Sequence, residues 1–175
     1  MEFQFIYTDR LKLRLVDQQV MDKVFAAYSH EELISFFGEV IAEKEIERYH
    51  GGTSMYNRTF LYFQMILKDS NELIGWCGFH TWYTNHSRAE IGYMIFDEKN
   101  MDHGYMSEAM SAVIEYGFHE MELHRIEAMI GKYNRPSLRL MNKFHFEEEG
   151  CLREHYFTGG VYEDSLVFGL IKPQK

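Results

Sequence analysis

The sequence predicts one α/β domain built on a mixed sheet, and three observations predict it. Segments with the two-residue period of strands and segments with the helical period follow one another in the order β-α-α-β-β-β-α-β-α-β-β, with no repeat or low-complexity stretch between them. The chain has 175 residues, enough for one domain with a substantial core and too few for two conventional ones, so residues 1–175 form a single unit. A hydrophobic share of 46%, of which aromatics supply much, can offset the entropy of ordering that core.

Each element has its own signal. Residues 11–16 (LKLRLV) alternate apolar and basic side chains, as a half-buried strand does. Asp17 then caps a helix whose Val20, Val24, Phe25 and Tyr28 share a face. Residues 39–50 carry many charges around a thinner stripe of Val40, Ile41, Ile46 and Tyr49, predicting an exposed second helix that Gly51 and Gly52 end. Residues 51–59 read as a loop. Residues 60–67 and 73–83 are aromatic and aliphatic strands joined by the turn residues Lys68-Asp69-Ser70-Asn71. In the strand at 88–96, Ala89, Ile91, Tyr93 and Ile95 face one side and Glu90, Gly92 and Met94 the other.

From Ser107 to about Glu122, Met110, Val113, Ile114, Gly117, Phe118 and Met121 recur at helical spacing. A short strand at 125–130 follows, then a helix with Pro136 in its first turn that runs to about Phe144. Two strands, 148–157 and 161–171, are joined around Gly159-Gly160.

Composition removes several function classes. A formal charge of −9 opposes general nucleic-acid binding, which depends on Lys and Arg neutralising phosphates. No apolar run approaches the roughly 18–20 residues that cross a bilayer, and the N-terminus lacks the basic-then-apolar pattern of a signal peptide, so a cytoplasmic protein without membrane contact is expected. Cys77 and Cys151 sit among apolar residues and are expected to be reduced and packed. The nine histidines are dispersed, and His119 and His124 are spaced off the i, i+4 face, so no metal is expected.

The most informative stretch joins the strand at 88–96 to the helix near Ser107 through Asp102-His103-Gly104-Tyr105-Met106. Backbone N–H groups of such a loop can converge on one anion, a helix N-terminus adds partial positive charge, and Gly104 lets a phosphate approach the backbone. A lone glycine is equally compatible with a plain turn that ends a strand.

With its neighbours, this stretch resembles the GNAT N-acetyltransferase superfamily, in the branch of RimJ- and RimL-type ribosomal-protein N-terminal acetyltransferases. Thr8-Asp9-Arg10-Leu11-Lys12-Leu13-Arg14 is similar to that branch's first strand and Ala89-Glu90-Ile91-Gly92-Tyr93 to its fourth. His103-Gly104-Tyr105-Met106-Ser107-Glu108-Ala109 resembles the loop G-K-G-Y-A-T-E-A. Asn134-x-x-Ser137, then Lys143-Phe144-His145-Phe146 and Glu149-Gly150, resembles N-x-x-S…K-x-G-F…E-G.

The resemblance implies a mixed, mostly antiparallel sheet with helices on both faces and with its fourth and fifth strands, 88–96 and 125–130, splayed. It implies acetyl-coenzyme A as co-substrate, with the diphosphate on the amides of Met101, Asp102, His103, Gly104, Tyr105 and Met106. The pantetheine arm would bond the backbone around Tyr93 and Met94 and, across the splay, Asn134. The loop departs from the usual Arg/Gln-x-x-Gly-x-Gly/Ala at Met101 and Met106, and Asp102 sets a negative charge beside the diphosphate. His103, Lys99 and Lys132 are the cations available to compensate.

The reaction so implied is N-acetylation of a primary amine, at a protein N-terminus or on a small molecule, by direct attack through a tetrahedral intermediate. At pH 7 roughly one lysine amine in two thousand is neutral against about one α-amine in seven, so an α-amine needs less help. Ser137 matches the serine assigned to thiolate protonation in the RimL-like branch, and it can also be a first-turn residue bonding its own backbone. For the base, Glu90 lies beside the splay and can act through water, or can be a strand residue paired with Arg88 or Lys99. His155 is a second candidate, since imidazole is a common general base, and it stands beside Tyr156 where the branch carries a glutamate. Trp76, Trp82 and Tyr83 are expected to pack the hairpin, with Trp82 and Tyr83 as a further option for lining an acceptor pocket. Competing readings are a catalytically silent acyl-coenzyme A sensor and a polyamine- or aminoglycoside-type acetyltransferase. A homodimer is an assembly the resemblance allows.

Overall fold

The alternation of Leu11, Leu13 and Leu15 with Lys12 and Arg14 puts three leucines on one face of a strand, and all three are buried. This strand is the second of eight in the computed structural model, which describes residues 1–51 and 59–173. The first elements in chain order are β1 (Phe5–Tyr7), β2 (Leu11–Asp17), α1 (Gln18–Ala27), α2 (His30–Phe37), α3 (Ala42–Gly51), β3 (Thr59–Leu67) and β4 (Leu73–Tyr83). They are followed by β5 (Arg88–Ile95), α4 (Tyr105–His119), β6 (Arg125–Gly131), α5 (Arg135–Lys143), β7 (Glu147–Thr158) and β8 (Val161–Ile171).

The sheet order is β1-β2-β3-β4-β5-β6-β8-β7, antiparallel throughout except between β5 and β6. Those two strands pair in parallel only at Arg88 with Arg125, Ala89 with Ile126 and Glu90 with Glu127. Beyond that point, residues 91–95 and 128–131 have no register partners across the gap, so the sheet is mixed, mostly antiparallel and open in the middle.

Period-two patterning gives the sheet two buried faces. Leu11, Phe63, Cys77, Ala89, Ile91 and Ile126 pack with Ala109, Met110 and Val113 of α4 and Met141 of α5. Val16 and Tyr62, which point the other way, pack with Met21 and Val24 of α1, Phe36 and Phe37 of α2 and Ala42 of α3. Asp17 caps α1 as its position predicts, its carboxylate accepting from the Val20 N–H at 2.9 Å, a bond typically worth about 1 kcal/mol.

The structure adds two elements to the order read from the sequence. β1 is too short for its alternation to register, and it exists because Phe5, Ile6 and Tyr7 pair with β2. α2 is announced by a capping box, in which the Ser29 hydroxyl accepts from Glu32 N–H and the Glu32 carboxylate accepts from Ser29 N–H. α4 begins at Tyr105 and ends at His119, somewhat before the predicted span at both ends. Of the predicted loop at 51–59, Gly51 closes α3 and Thr59 opens β3, and the rest lies outside the described residues. Cys77 is buried as expected, but Cys151 is exposed, because β7 is an edge strand whose side chains all reach solvent. Among the described residues no helix is long and apolar enough to cross a membrane.

Candidate functional site

The loop after β5 is built by local hydrogen bonds. The Asp97 carboxylate accepts from Lys99 N–H at 3.0 Å, and Met101 N–H donates to the Glu98 carbonyl at 3.0 Å, closing a single 3-10 turn. Asp102 and Gly104 then take left-handed backbone angles, φ 58° and 78°, which turn the chain into α4. Among the described residues, the N–H groups of Asp102, His103, Gly104, Tyr105 and Met106 meet no acceptor, and the helical ladder starts only with Glu108 N–H to the Gly104 carbonyl at 3.0 Å. Met101 spends its amide inside the loop, so the free donors begin one residue later than the sequence pattern suggests. Unpaired amides at a helix N-terminus favour an anion.

The cations at this loop differ from those expected. Lys99 pairs with Glu72 at 2.9 Å, and Lys132 pairs with Asp164 at 3.0 Å. His103 stacks on Tyr105, with 5.7 Å between ring centroids. Arg10 takes the place beside the loop: its Nη1 donates to the His103 carbonyl at 2.9 Å, and its guanidinium lies 4.6 Å from the centre of the Tyr105 ring. Its Nη2 stands 3.5 Å from where a Cβ on Gly104 would be. Asp102 is turned out to solvent, with Arg139 Nη2 3.9 Å away, which lessens its repulsion of an anion at the amides. In the sequence Arg10 belongs only to the first-strand motif. Its partner Glu108, in the loop motif, is the local signal that ties it to the loop.

Downstream, the parting of β5 and β6 exposes backbone. Phe96 N–H donates to Ile74 of β4 at 2.9 Å, so by strand alternation Met94 also turns its backbone groups to β4 while Tyr93 turns its own to the gap. Met94 contributes an exposed side chain on the opposite face instead. Across the gap Asn134 is the N-cap of α5, its carbonyl oxygen accepting from Ser137 N–H at 3.2 Å, which leaves the side-chain NH2 to reach outward. Ser137 is buried close to the Tyr93 hydroxyl, though the contact stops short of a hydrogen bond of normal geometry. Burial pushes the Tyr93 phenol up to about 12 against the pull of Ser137, so it stays protonated.

Glu90 sits on the other face, at the last residue pair before the strands part. Its Oε1 lies 3.5 Å from His80 Nε2, while Arg88 pairs with Glu127 at 2.7 Å. Burial and, after it, the Glu90 charge raise the pKa of Tyr156, so Tyr156 also lies near Glu90. Tyr156, Asn134, Gly131 and Ser165 line a cavity of about 220 Å³ between the end of β6, the start of α5 and the β7–β8 hairpin. His155 Nδ1 is 3.1 Å from Ser165 Oγ, and its ring meets Tyr156 edge to face. The structure therefore gathers Tyr93, Asn134 and Ser137 at the gap with Glu90 behind them, and sets His155 at the rim. Trp82 packs against the α4 side of the core and Tyr83 carries Arg88 on its ring, so the indole that lines a cavity is Trp76.

The sequence profile of the acetyltransferase (GNAT) domain matches residues 10–147. The chain belongs to the GNAT acetyltransferase family. It is 35% identical over 178 aligned positions to YoaA, an uncharacterised N-acetyltransferase of Bacillus subtilis (strain 168), covering 99% of each chain. It is 30% identical over 121 positions, 69% of this chain and 66% of the other, to the ribosomal-protein-serine acetyltransferase of Escherichia coli (strain K12). In fold it is similar to the ribosomal-protein acetyltransferase RimL in complex with coenzyme A, with a TM-score of 0.69 at 19% identity, over 96% of this chain and 98% of that one. As a GNAT protein close to the RimL and RimJ type, it is an acetyl-coenzyme A-dependent N-acetyltransferase. The free amides and Arg10 fit the diphosphate of that co-substrate, because they supply donors and positive charge where the described residues provide no acceptor.

Proposed function

We propose that this GNAT enzyme acetylates a primary amine by direct attack across the gap between β5 and β6, with the acyl donor and the acceptor approaching from opposite faces of the sheet. The observation that carries this reading is the parting of the strands after Glu90, with Ser137 of α5 on one face and Glu90 on the other.

Acetyl-coenzyme A supplies an activated acetyl group. The amides from Asp102 to Met106, with Arg10 beside Gly104, hold its diphosphate, while the backbone of Tyr93 and the side chain of Asn134 align its arm. Glu90 takes the proton of the attacking amine through a water, leaving nitrogen its lone pair. The amine then adds to the thioester carbonyl, the tetrahedral intermediate loses its second nitrogen proton to solvent, and as the carbon–sulfur bond breaks the Ser137 hydroxyl gives its proton to the departing sulfur and regains one from solvent. A silent binding domain would need the amide-lined loop but neither the serine at the gap nor the carboxylate opposite it.

Thermal-shift titration with acetyl-coenzyme A tests the donor site. A ligand at a hundred times its dissociation constant adds about 2.7 kcal/mol, and no shift at millimolar concentration rejects the site. Thiol release over a panel of amines and N-terminal peptides tests turnover, and a clear thermal shift without any thiol release would favour the silent domain.

A further inference from the structure

On the face of the sheet away from α4, a cavity of about 80 Å³ lies between α3 and the strands β3 and β4. That is about half of the roughly 150 Å³ that encloses a benzene molecule, so it takes a short branched chain or the leading edge of one ring, with the rest of the ring at its open mouth. Phe60, Tyr62 and Trp76 wall it, the last two meeting edge to face with 5.7 Å between centroids. The Tyr62 hydroxyl is buried without a hydrogen-bond partner among the described residues. Burial, then the Glu45 carboxylate, pushes that phenol's pKa far up, so the wall it forms is uncharged.

The charges at the cavity cancel. Glu45, 8% exposed, is held by Arg48 at 3.0 Å. Burial, and then Arg48, lower the pKa of His80, which leaves its imidazole neutral at pH 7. The described lining therefore carries no surplus negative charge, as a pocket selecting a polycation would. At one end the His80 ring packs over Gly92, where a Cβ would lie 2.3 Å from its Cδ2, and its Nε2 is 3.5 Å from Glu90. Since Glu90 is the last β5 residue paired with β6, the cavity ends where the sheet opens.

We propose that this cavity seats the body of the acceptor and selects a primary monoamine bearing one uncharged ring or branched apolar chain, its amino group at the His80–Glu90 end. This assignment rests on the acetyl transfer proposed above. Free amines and the α-amine of a polypeptide that begins with an apolar residue share this chemistry.

The test compares thiol release, at saturating acetyl-coenzyme A, for phenethylamine, a short peptide with N-terminal phenylalanine, and spermidine. Phenethylamine or the peptide is expected to exceed spermidine in kcat/KM by about tenfold or more, and whichever of the two leads identifies the source. Spermidine equal to or better than both overturns the proposal. Arg48→Ala, at a largely exposed side chain, leaves Glu45 unpaired and is expected to move the ratio about tenfold toward spermidine; an unmoved ratio counts against the pocket. Binding is read separately in Trp82→Phe protein, where Trp76 is the remaining tryptophan of two. Phenethylamine should change its emission saturably, and spermidine should not. No change with phenethylamine overturns the pocket, whereas a missing thermal shift with acetyl-coenzyme A overturns the acetyl-transfer reading and leaves the fluorescence result to decide the pocket.

Discussion

Arg10 and Glu108, 98 residues apart in sequence, join the start of β2 to the first turn of α4: the Arg10 Nε donates to Glu108 Oε2 and the Arg10 backbone N–H to Glu108 Oε1, both at 2.7 Å. Thr8 Oγ1 donates to the same carboxylate at 2.6 Å. The guanidinium is thereby aimed at the amide-lined loop, with Nη2 left without a hydrogen-bond partner among the described residues. Arg10→Ala is expected to weaken coenzyme A binding about tenfold, or about 1.4 kcal/mol, while the protein stays folded. Calorimetric titration with coenzyme A checks this, and an unchanged dissociation constant would show that Arg10 only braces the loop.

The same carboxylate gives an acid-sensitive contribution to stability. Burial works to raise the Glu108 pKa, but the bonds from Thr8, the Arg10 amide and the Arg10 guanidinium together outweigh it and hold the carboxyl below its usual range. A depressed folded pKa means stability that is fully present above the unfolded value of about 4.3 and is lost as pH falls through the lower folded value. The gap in melting temperature between wild type and Glu108→Gln should be full at roughly pH 6 and close toward about pH 2. A gap that does not change with pH would mean the charge of Glu108 is immaterial.

Gly104→Ala is expected to cost about 1 kcal/mol, because φ 78° is unfavourable for a residue with a Cβ. Steric clash is not the cause, since the added Cβ would meet only Arg10 Nη2 at an ordinary 3.5 Å. Gly104→Asn should recover part of that loss, as asparagine enters the left-handed region more readily. Chemical denaturation of the two variants decides the matter, and equal losses would point away from backbone strain.

Much of this architecture is legible in the sequence because period-two and period-3.6 patterning is a local property. The strand faces at 88–95, the Asp17 cap and the Pro136 helix start follow from it directly. β1 was illegible because three residues carry too little period, and it is held by pairing with β2. α2 was readable through Ser29-x-x-Glu32, but the stripe at 39–50 drew the helix boundary past it. In the site, Asn134 and Ser137 keep a fixed spacing within one element. Arg10 and His80 reach the loop and Glu90 only through tertiary packing, against Gly104 and Gly92, which no local pattern encodes.

Ser137→Ala separates chemistry from binding. If the hydroxyl protonates the departing sulfur, kcat should fall about a hundredfold, at the lower end of the usual range for general acid catalysis. The α5 cap survives, because Asn134 bonds the Ser137 backbone N–H and not its side chain. The thermal shift with acetyl-coenzyme A should therefore be retained. Equal losses in turnover and in thermal shift would assign Ser137 to binding.

Tyr93→Phe asks what the phenol beside Ser137 contributes. Its hydroxyl is buried without a hydrogen bond of normal geometry, so removing it deletes a desolvated polar atom while keeping the ring that packs against the α4 side of the core. On structural grounds alone the variant should be as stable as wild type, or more stable by up to about 1 kcal/mol. Because its pKa stands at about 12, the phenol cannot act as a base near neutrality, and any influence on the reaction must come from its donor proton. A stable variant with lower kcat and an unchanged KM for acetyl-coenzyme A would mean that the Tyr93 hydroxyl orients Ser137 in the transition state. If kcat is also unchanged, the phenol is only a packed ring and Ser137 positions itself through the α5 backbone alone. Steady-state rates and denaturation midpoints measured on the same preparation distinguish the two.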